Sequence, residues 1–227
     1  MSGNVLIFGG TRGTGFQVAR LLREQGDATT VLVREGSDAS ALEAIGATIV
    51  RGNALDPAAV EAAFASGQFR AAVNTLGGKR GELPRPDIEG IRQIVAGAKK
   101  AGVSRVLMVT AIGAGDSQSA VAPKVLEVLG EVLDMKTQAE NILQDSGLDY
   151  TILRPGGMTD DPASGTAIKT EDHNRMGVIN RADLAALLVE CIDDDTTGGK
   201  IYHTIDPEIT REAPLQRGQD LPKGPRR

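Results

Sequence analysis

Short apolar runs alternate with amphipathic stretches along most of this chain. The apolar or β-branched runs predict buried strands at 5–8, 29–33, 47–50, 69–76, 103–110, 149–153 and 200–204. Between them, apolar residues recur at helical spacing, which predicts helices at 14–26, 39–44, 58–65, 87–101, 123–144 and 181–192. Strands that alternate with helices through short loops are typical of an α/β fold, here a doubly wound parallel sheet.

The alternation ends near residue 205, where the composition changes. Residues 206–227 are rich in Pro, Arg and Gln and poor in apolar side chains. Such a segment can bury little apolar surface, so burial does not offset the conformational entropy that it would lose on becoming ordered. We therefore expect a single folded domain at 1–205, followed by a loosely ordered C-terminal tail at 206–227.

The first strand runs directly into a glycine-rich turn. Its glycines follow the pattern G-x-x-x-G-x-G, in which Gly9 permits a sharp turn, Gly13 lets a pyrophosphate approach the backbone and Gly15 lets the helix pack closely. The first N–H groups of the helix then form an anion site. A purely structural tight turn is the alternative. The predicted cofactor contacts of this turn are Gly9, Thr11, Arg12, Gly13, Thr14 and Gly15.

This turn makes 1–205 a predicted Rossmann domain with a substrate cleft, and the end of the second strand indicates the dinucleotide. An acidic residue at that position binds the ribose hydroxyls of NAD, whereas this chain has Arg34. A guanidinium suits the 2′-phosphate of NADP, and Arg12 offers a second one. Glu35 follows directly, and a solvated Arg34 is the alternative. We predict NADP (NADPH) as the cofactor, with NAD less favoured.

Two later strand ends complete the predicted cofactor site. Asn53 and Ala54 follow the third strand and are expected on the adenine side, where an amide can donate to and accept from a base edge. Thr75, Leu76 and Gly77 follow the fourth strand and are expected near the ribose and pyrophosphate. In open α/β sheets, ligands bind at the edge where these strand ends meet.

The composition limits the kinds of partner that we expect the protein to bind. The chain has 227 residues, 41% of them hydrophobic and 24% charged, with a formal net charge of −5, which argues against nucleic acid. No apolar run approaches the roughly 18–20 residues of a membrane span, and a basic, apolar leader is lacking, so we expect a cytoplasmic protein without a membrane partner. One cysteine and two histidines in unrelated positions predict no metal site.

With these residues placed, the chain resembles the atypical short-chain dehydrogenase/reductase proteins, in the branch of NmrA-like proteins and biliverdin-IX-beta (flavin) reductases. The resemblance spans about 5–203 and is carried by 6–15, 32–34, 50–56, 74–78, Lys136 with Ala139-Glu140, and 146–158. It implies a Rossmann fold that binds NADP(H). It also implies that the Arg-Pro-Gly turn, with Pro155, Gly156 and Gly157, packs on the nicotinamide side of the cofactor.

Two departures from the family pattern qualify this resemblance. The family commonly has Gly-Asp where this chain has Gly-Asn at 52–53, which affects the adenine contact. The main branch places a tyrosine four residues before its lysine, whereas Val132 precedes Lys136 here. The tyrosines present, Tyr150 and Tyr202, lie in predicted strands. A tyrosine acid–base mechanism is therefore not expected, and some members of the atypical branch only sense the nucleotide.

Two residues are the candidates for catalysis. Thr110, at the end of the fifth strand, is placed to hydrogen-bond a substrate carbonyl, and the alternative is a plain β-branched strand residue. Lys136 resembles the family lysine that binds the nicotinamide ribose, and the alternative is an exposed helix lysine paired with Glu140 at i,i+4. His173 lies in the loop that covers the substrate face in the family, where a solvated histidine is favoured over an acid.

The sequence thus predicts an NADPH-dependent reductase, an oxidoreductase whose acceptor is a small or planar organic molecule of the flavin, quinone, tetrapyrrole or carbonyl type. Two alternatives stay open. The protein can be a non-catalytic regulator that senses NADP(H), or an epimerase or isomerase that uses the bound cofactor. The expected partner is a small-molecule substrate, and the expected state is a monomer or homodimer.

Overall fold

The computed structural model describes residues 3–78 and 85–209. Its strands are β1 (Asn4–Phe8), β2 (Thr29–Val33), β3 (Thr48–Arg51), β4 (Phe69–Asn74), β5 (Arg105–Val109), β6 (Asp149–Pro155), β7 (Gly157–Thr159), β8 (Ile168–Thr170), β9 (Val178–Asn180) and β10 (Lys200–Ile205). Its α-helices are α1 (Gly13–Glu24), α2 (Ser40–Ala44), α3 (Pro57–Ala65), α4 (Pro86–Ala101), α5 (Pro123–Gln144) and α6 (Arg181–Ile192).

The main sheet has the order β3-β2-β1-β4-β5-β6-β10-β8. All neighbouring pairs are parallel except the last, in which β8 runs antiparallel to β10. One buried cluster joins the sheet to α1 and α6, and a second joins the opposite face to α3, α4 and α5. The predicted Rossmann fold is therefore confirmed. Chain order reverses between β1 and β4, which is where ligands bind in such sheets.

Two of the three-residue strands, β7 and β8, escape the sequence prediction because they are too short to show a hydrophobic period. β7 pairs in parallel with β9, the third such strand, in a separate two-stranded sheet. The fourth strand was predicted to reach residue 76 but ends at Asn74. The Asn74 side chain accepts a hydrogen bond from the Leu76 N–H at 3.0 Å, which turns the chain out of the sheet.

Asp206, which the predicted division assigned to the tail, belongs to the folded domain. It is 2% exposed, and its N–H donates to the Val178 carbonyl at 2.7 Å. Its carboxylate accepts hydrogen bonds from Ser164 and Thr166. Residues 210–227 of the predicted tail lie outside the described residues. None of the helices described is long and apolar enough to cross a bilayer.

A buried arginine ties α5 to β6. The Arg154 side chain is 2% exposed and donates two hydrogen bonds to Glu140, from Nε at 3.0 Å and from Nη2 at 2.7 Å. Its Nη1 donates to Asp116 at 2.5 Å, and Asp116 also pairs with His173 Nδ1 at 2.8 Å. Burial opposes the charge of Asp116, but the hydrogen bonds from Arg154 and His173 outweigh it and lower its pKa from 3.8 to about 2.

The glycine turn depends on a backbone approach that excludes any side chain at position 15. A Cβ on Gly15 would lie 2.4 Å from the Gly9 carbonyl oxygen and 2.4 Å from Thr75 Oγ1. We expect Gly15→Ala to lower the free energy of unfolding by about 1–3 kcal/mol, because α1 must shift. Urea unfolding measures this change. Gly130→Ala is the control, since nothing lies within 4 Å of a Cβ there; equal stability of the two variants would contradict the close approach.

The lowered pKa of Asp116 makes a pH-dependent contribution to stability. The contribution is fully present above the unfolded value of 3.8 and is lost as the pH falls through about 2. We expect Asp116→Asn to be less stable than wild type near neutral pH. This difference in the free energy of unfolding should shrink as the pH falls from 3.8 to about 2. Urea unfolding at a series of pH values tests this, with Asp145→Asn at an exposed position as control. A difference that does not change with pH would contradict the assignment.

Candidate functional site

A cavity of about 800 Å³ opens at the carboxyl ends of the strands around β1. It gathers most of the predicted site residues from six separate segments of the chain. Those that line it are Gly9, Thr11, Arg12, Gly13, Thr14, Gly15, Arg34, Asn53, Ala54, Thr75, Leu76, Gly77, Thr110 and Lys136. Its position at the switch point of the sheet and its size suit an extended cofactor.

The glycine turn forms the centre of the cavity wall. Gly9 has a φ of 91°, a left-handed conformation that favours glycine. Thr75 closes the turn from the side of β4, because its N–H and its hydroxyl both donate to the Phe8 carbonyl, at 2.9 and 3.1 Å. Within the described residues no side chain caps the first turn of α1, and that turn carries no acidic residue. Its N–H groups are thus suited to the pyrophosphate of a dinucleotide.

The ends of β2 and β3 form one side of the cavity. Arg34 lines it, and the Ser37 N–H donates to the Arg34 carbonyl at 3.1 Å. The Arg51 guanidinium braces this turn through the Ser37 carbonyl at 2.8 Å. Asn53 accepts from the Leu55 N–H at 3.1 Å, so its oxygen is used in a turn and its NH₂ group is the part suited to a base edge.

On the other side of the cavity, Thr110 follows β5 and is 4% exposed. Its hydroxyl donates to Glu140 Oε1 at 2.6 Å. A threonine hydroxyl can donate only one hydrogen bond, and here it donates that bond to Glu140. The expected hydrogen bond to a substrate carbonyl needs a donor, so this geometry corrects that expectation: Thr110 Oγ1 is suited to accept from an N–H group instead.

Lys136, on α5, faces the same cavity with 17% of its side chain exposed. Its Nζ lies 3.5 Å from Oδ1 of Asp87, which is 2% exposed and near the start of α4. Glu140 is already bound by Arg154 and Thr110, so it is not the ion-pair partner of Lys136. The alternative of an exposed lysine paired with Glu140 is therefore wrong.

The predicted contacts Pro155, Gly156 and Gly157 do not line the cavity. A Cβ on Gly156 would lie 2.1 Å from the Gly177 carbonyl oxygen, and the Gly157 N–H donates to that oxygen at 3.0 Å. The Pro155 carbonyl accepts from the Ile112 N–H at 2.9 Å. The turn packs against protein on these sides, and its contact with the nicotinamide side of the cofactor stays a prediction.

Met158, Asp160 and Arg181 are among the lining residues that the sequence prediction did not include. Met158 belongs to β7, and the other two directly follow β7 and β9. The parallel pairing of β7 with β9 brings these segments together. No local pattern marks such a pairing, because each strand has three residues and the two are far apart in sequence.

The two histidines stack against each other outside the cavity lining. Their ring centroids are 4.9 Å apart, and His203 Nδ1 lies 2.8 Å from the Arg175 carbonyl oxygen. Burial lowers the pKa of His203. His173 bridges Asp116 and the Ile201 carbonyl, at 2.8 and 3.0 Å. Neither histidine is among the residues that line the cavity, and among the described residues no cluster of His, Cys, Asp and Glu is arranged to hold a metal ion.

Known proteins resemble this chain in sequence and in fold. Residues 9–195 match the sequence model of the NAD(P)H-binding family. The Bacillus subtilis protein named uncharacterized sugar epimerase YhfK is 30% identical over 203 residues, which cover 87% of this chain and 92% of that protein. The NAD(P)H azoreductase of Xenophilus azovorans is 27% identical over 212 residues, covering 90% of this chain and 68% of that protein.

Among solved structures, ChuY, an anaerobillin reductase from Escherichia coli O157:H7, superposes with a TM-score of 0.83 at 31% identity, covering 92% of this chain and 99% of that one. The family match includes the glycine turn and reaches beyond α6. The expected resemblance to atypical short-chain dehydrogenase/reductases is thereby confirmed. With its glycine turn at the switch point of a Rossmann sheet, the chain belongs to the NAD(P)H-binding family.

Proposed function

We propose that this protein is an NADPH-dependent reductase of a small or planar organic acceptor, of the flavin, quinone, tetrapyrrole or carbonyl type. The observation that carries the proposal is one cavity with the glycine turn at its centre, Arg34 on the side of β2 and Thr110 with Lys136 on the side of β5 and α5. The names of two relatives, an azoreductase and an anaerobillin reductase, support a reductase.

In this proposal the glycine turn binds the cofactor pyrophosphate, and Arg12 and Arg34 bind the 2′-phosphate through paired, charge-assisted hydrogen bonds. Asn53 and Ala54 border the adenine. Bound NADPH supplies the hydride, and the chain supplies orientation. Lys136 Nζ donates to the nicotinamide ribose, and Thr110 Oγ1 accepts from the nicotinamide carboxamide. Lys136 is held for this role by the buried Asp87 carboxylate.

The proton for the reduced acceptor comes from solvent in this proposal. The described residues that line the cavity include no tyrosine, and Tyr150 and Tyr202 lie in β6 and β10. The same observation favours the second candidate, a regulatory protein that senses NADP(H) without turnover. The epimerase alternative has the name of the Bacillus relative in its favour.

Turnover distinguishes a reductase from a sensor. We expect NADPH oxidation, followed by absorbance, with at least one acceptor of a panel that contains a flavin, a quinone, biliverdin and a simple carbonyl. Lys136→Met is expected to lower kcat/KM by about tenfold or more, because a charged hydrogen bond contributes about 1.5–3 kcal/mol. Lys100→Met, at an exposed lysine on α4, is the control. Tight NADPH binding without turnover across the panel would support the sensor instead.

Removal of both arginines tests the choice of dinucleotide. We expect the double variant Arg12→Ala, Arg34→Ala to weaken NADPH binding by about tenfold or more and NADH binding far less, because only NADPH carries the 2′-phosphate. Titration of both dinucleotides by fluorescence measures the two affinities. Arg20→Ala, which removes a guanidinium from α1 outside the cavity lining, is the control. Equal weakening of both dinucleotides would show that the 2′-phosphate assignment is wrong.

A further inference from the structure

Arg181 reaches the glycine turn from a part of the chain that the cofactor motif does not include. It is the first residue of α6, and its side chain lines the cavity with 28% exposure. Its Cδ and Nε lie 3.4 and 3.6 Å from the position that a Cβ would take on Gly13. A guanidinium therefore stands beside the turn that is proposed to bind the pyrophosphate.

This guanidinium is paired with a carboxylate of the same cavity. Arg181 Nη1 donates to Asp160 Oδ1 at 2.9 Å, and the Asp160 side chain is 84% exposed. The register explains the pairing: Thr159 in β7 lies opposite Asn180 in β9, so the next residue of each strand emerges at the same end of the pair. Because exposed ion pairs contribute only about 0–1 kcal/mol, stability alone is a weak reason for the pair.

The backbone around Asp160 is fixed by contacts other than this ion pair. Asn180 Nδ2 donates to the Pro162 carbonyl at 3.0 Å, and the carboxylate of Asp183 accepts from the N–H groups of Ser164 at 2.8 Å and Gly165 at 2.9 Å. Asp183 is 4% exposed. The Asp160 side chain is thus able to leave Arg181 while this segment keeps its shape.

We propose that Arg181 binds the dinucleotide pyrophosphate beside Gly13, and that Asp160 competes with the cofactor for the same guanidinium. The inference rests on the proposed function and adds a residue pair that sets cofactor affinity. A pyrophosphate carries more negative charge than a carboxylate and accepts several hydrogen bonds from a guanidinium, so it displaces Asp160. By this competition Asp160 lowers the affinity and speeds release of the oxidised cofactor.

The test is a double-mutant cycle on cofactor binding, with NADPH and NADP⁺ titrated by fluorescence or calorimetry. Arg181→Met is expected to weaken NADPH binding by about tenfold, the size of one lost charged hydrogen bond. Asp160→Asn is expected to tighten binding by about two- to fivefold and to slow dissociation in stopped flow by a similar factor, since it removes a competing surface pair. In the double variant, the effect of Asp160→Asn should disappear.

Glu61→Gln is the matched control, because it removes an exposed carboxylate that is 2.7 Å from Lys100 and does not line the cavity. A misfolded variant cannot bind more tightly, so the gain expected for Asp160→Asn is independent of folding defects. Unchanged affinity in both single variants, or tightening that persists without Arg181, overturns the inference and leaves the proposed function standing. Absence of dinucleotide binding by the wild type overturns both.

Discussion

The first turn of helix α1 packs closely against the ends of β1 and β4, and the contact is made by the backbone of Gly15. At Gly15 a Cβ would lie 2.4 Å from both the Gly9 carbonyl oxygen and the Thr75 hydroxyl, so the helix can start here only without a side chain. Thr75 in turn donates to the Phe8 carbonyl, which joins the two strand ends. This contact directs the start of α1 into the switch point of the sheet, and the other walls of the cavity are built around that position.

A second constraint acts on the side of β5 and β6. Burial disfavours the charge of Arg154, but the hydrogen bonds to Glu140 and Asp116 outweigh it and raise its pKa. Replacing a buried ion pair by apolar side chains is often neutral or stabilising, so the pair is weak evidence for stability. The consequence of this ion pair for the cavity is more specific, because Glu140 accepts the one hydrogen bond that the Thr110 hydroxyl can donate. That hydrogen bond makes one point of the wall an acceptor instead of a donor.

The sequence was informative wherever the deciding contacts are local. The glycine turn, Arg34 and Asn53 follow strands long enough to be read from their apolar runs, and these residues do line the cavity. The sequence did not predict contacts that depend on a residue far away along the chain. Glu140 lies four residues from Lys136 but binds Arg154 and Thr110, since a buried guanidinium outcompetes an i,i+4 neighbour.

The same reasoning applies to the residues around β7. The Arg-Pro-Gly turn was assigned to the cofactor by resemblance, yet Gly156 packs against Gly177 and Met158, two residues on, lines the cavity. Asp160 and Arg181 meet through the pairing of two three-residue strands, a contact that periodicity cannot indicate. Local sequence thus predicted the cavity wall that follows β1 to β5 better than the wall formed by β7 and the start of α6.

The distribution of charge links the cavity to its proposed ligand. The chain has a net charge of −5, yet among the described residues the charged side chains that line the cavity are the cations Arg12, Arg34, Lys136 and Arg181 with one acid, Asp160. A basic cleft in an acidic protein focuses its field on a small anion, whereas an extended polyanion would also meet the negative surface around it. The proposed dinucleotide with its 2′-phosphate satisfies this condition. Asp160 is the one acid among the described lining residues, and its ion pair with Arg181 is the reason that we propose an influence of this carboxylate on cofactor affinity.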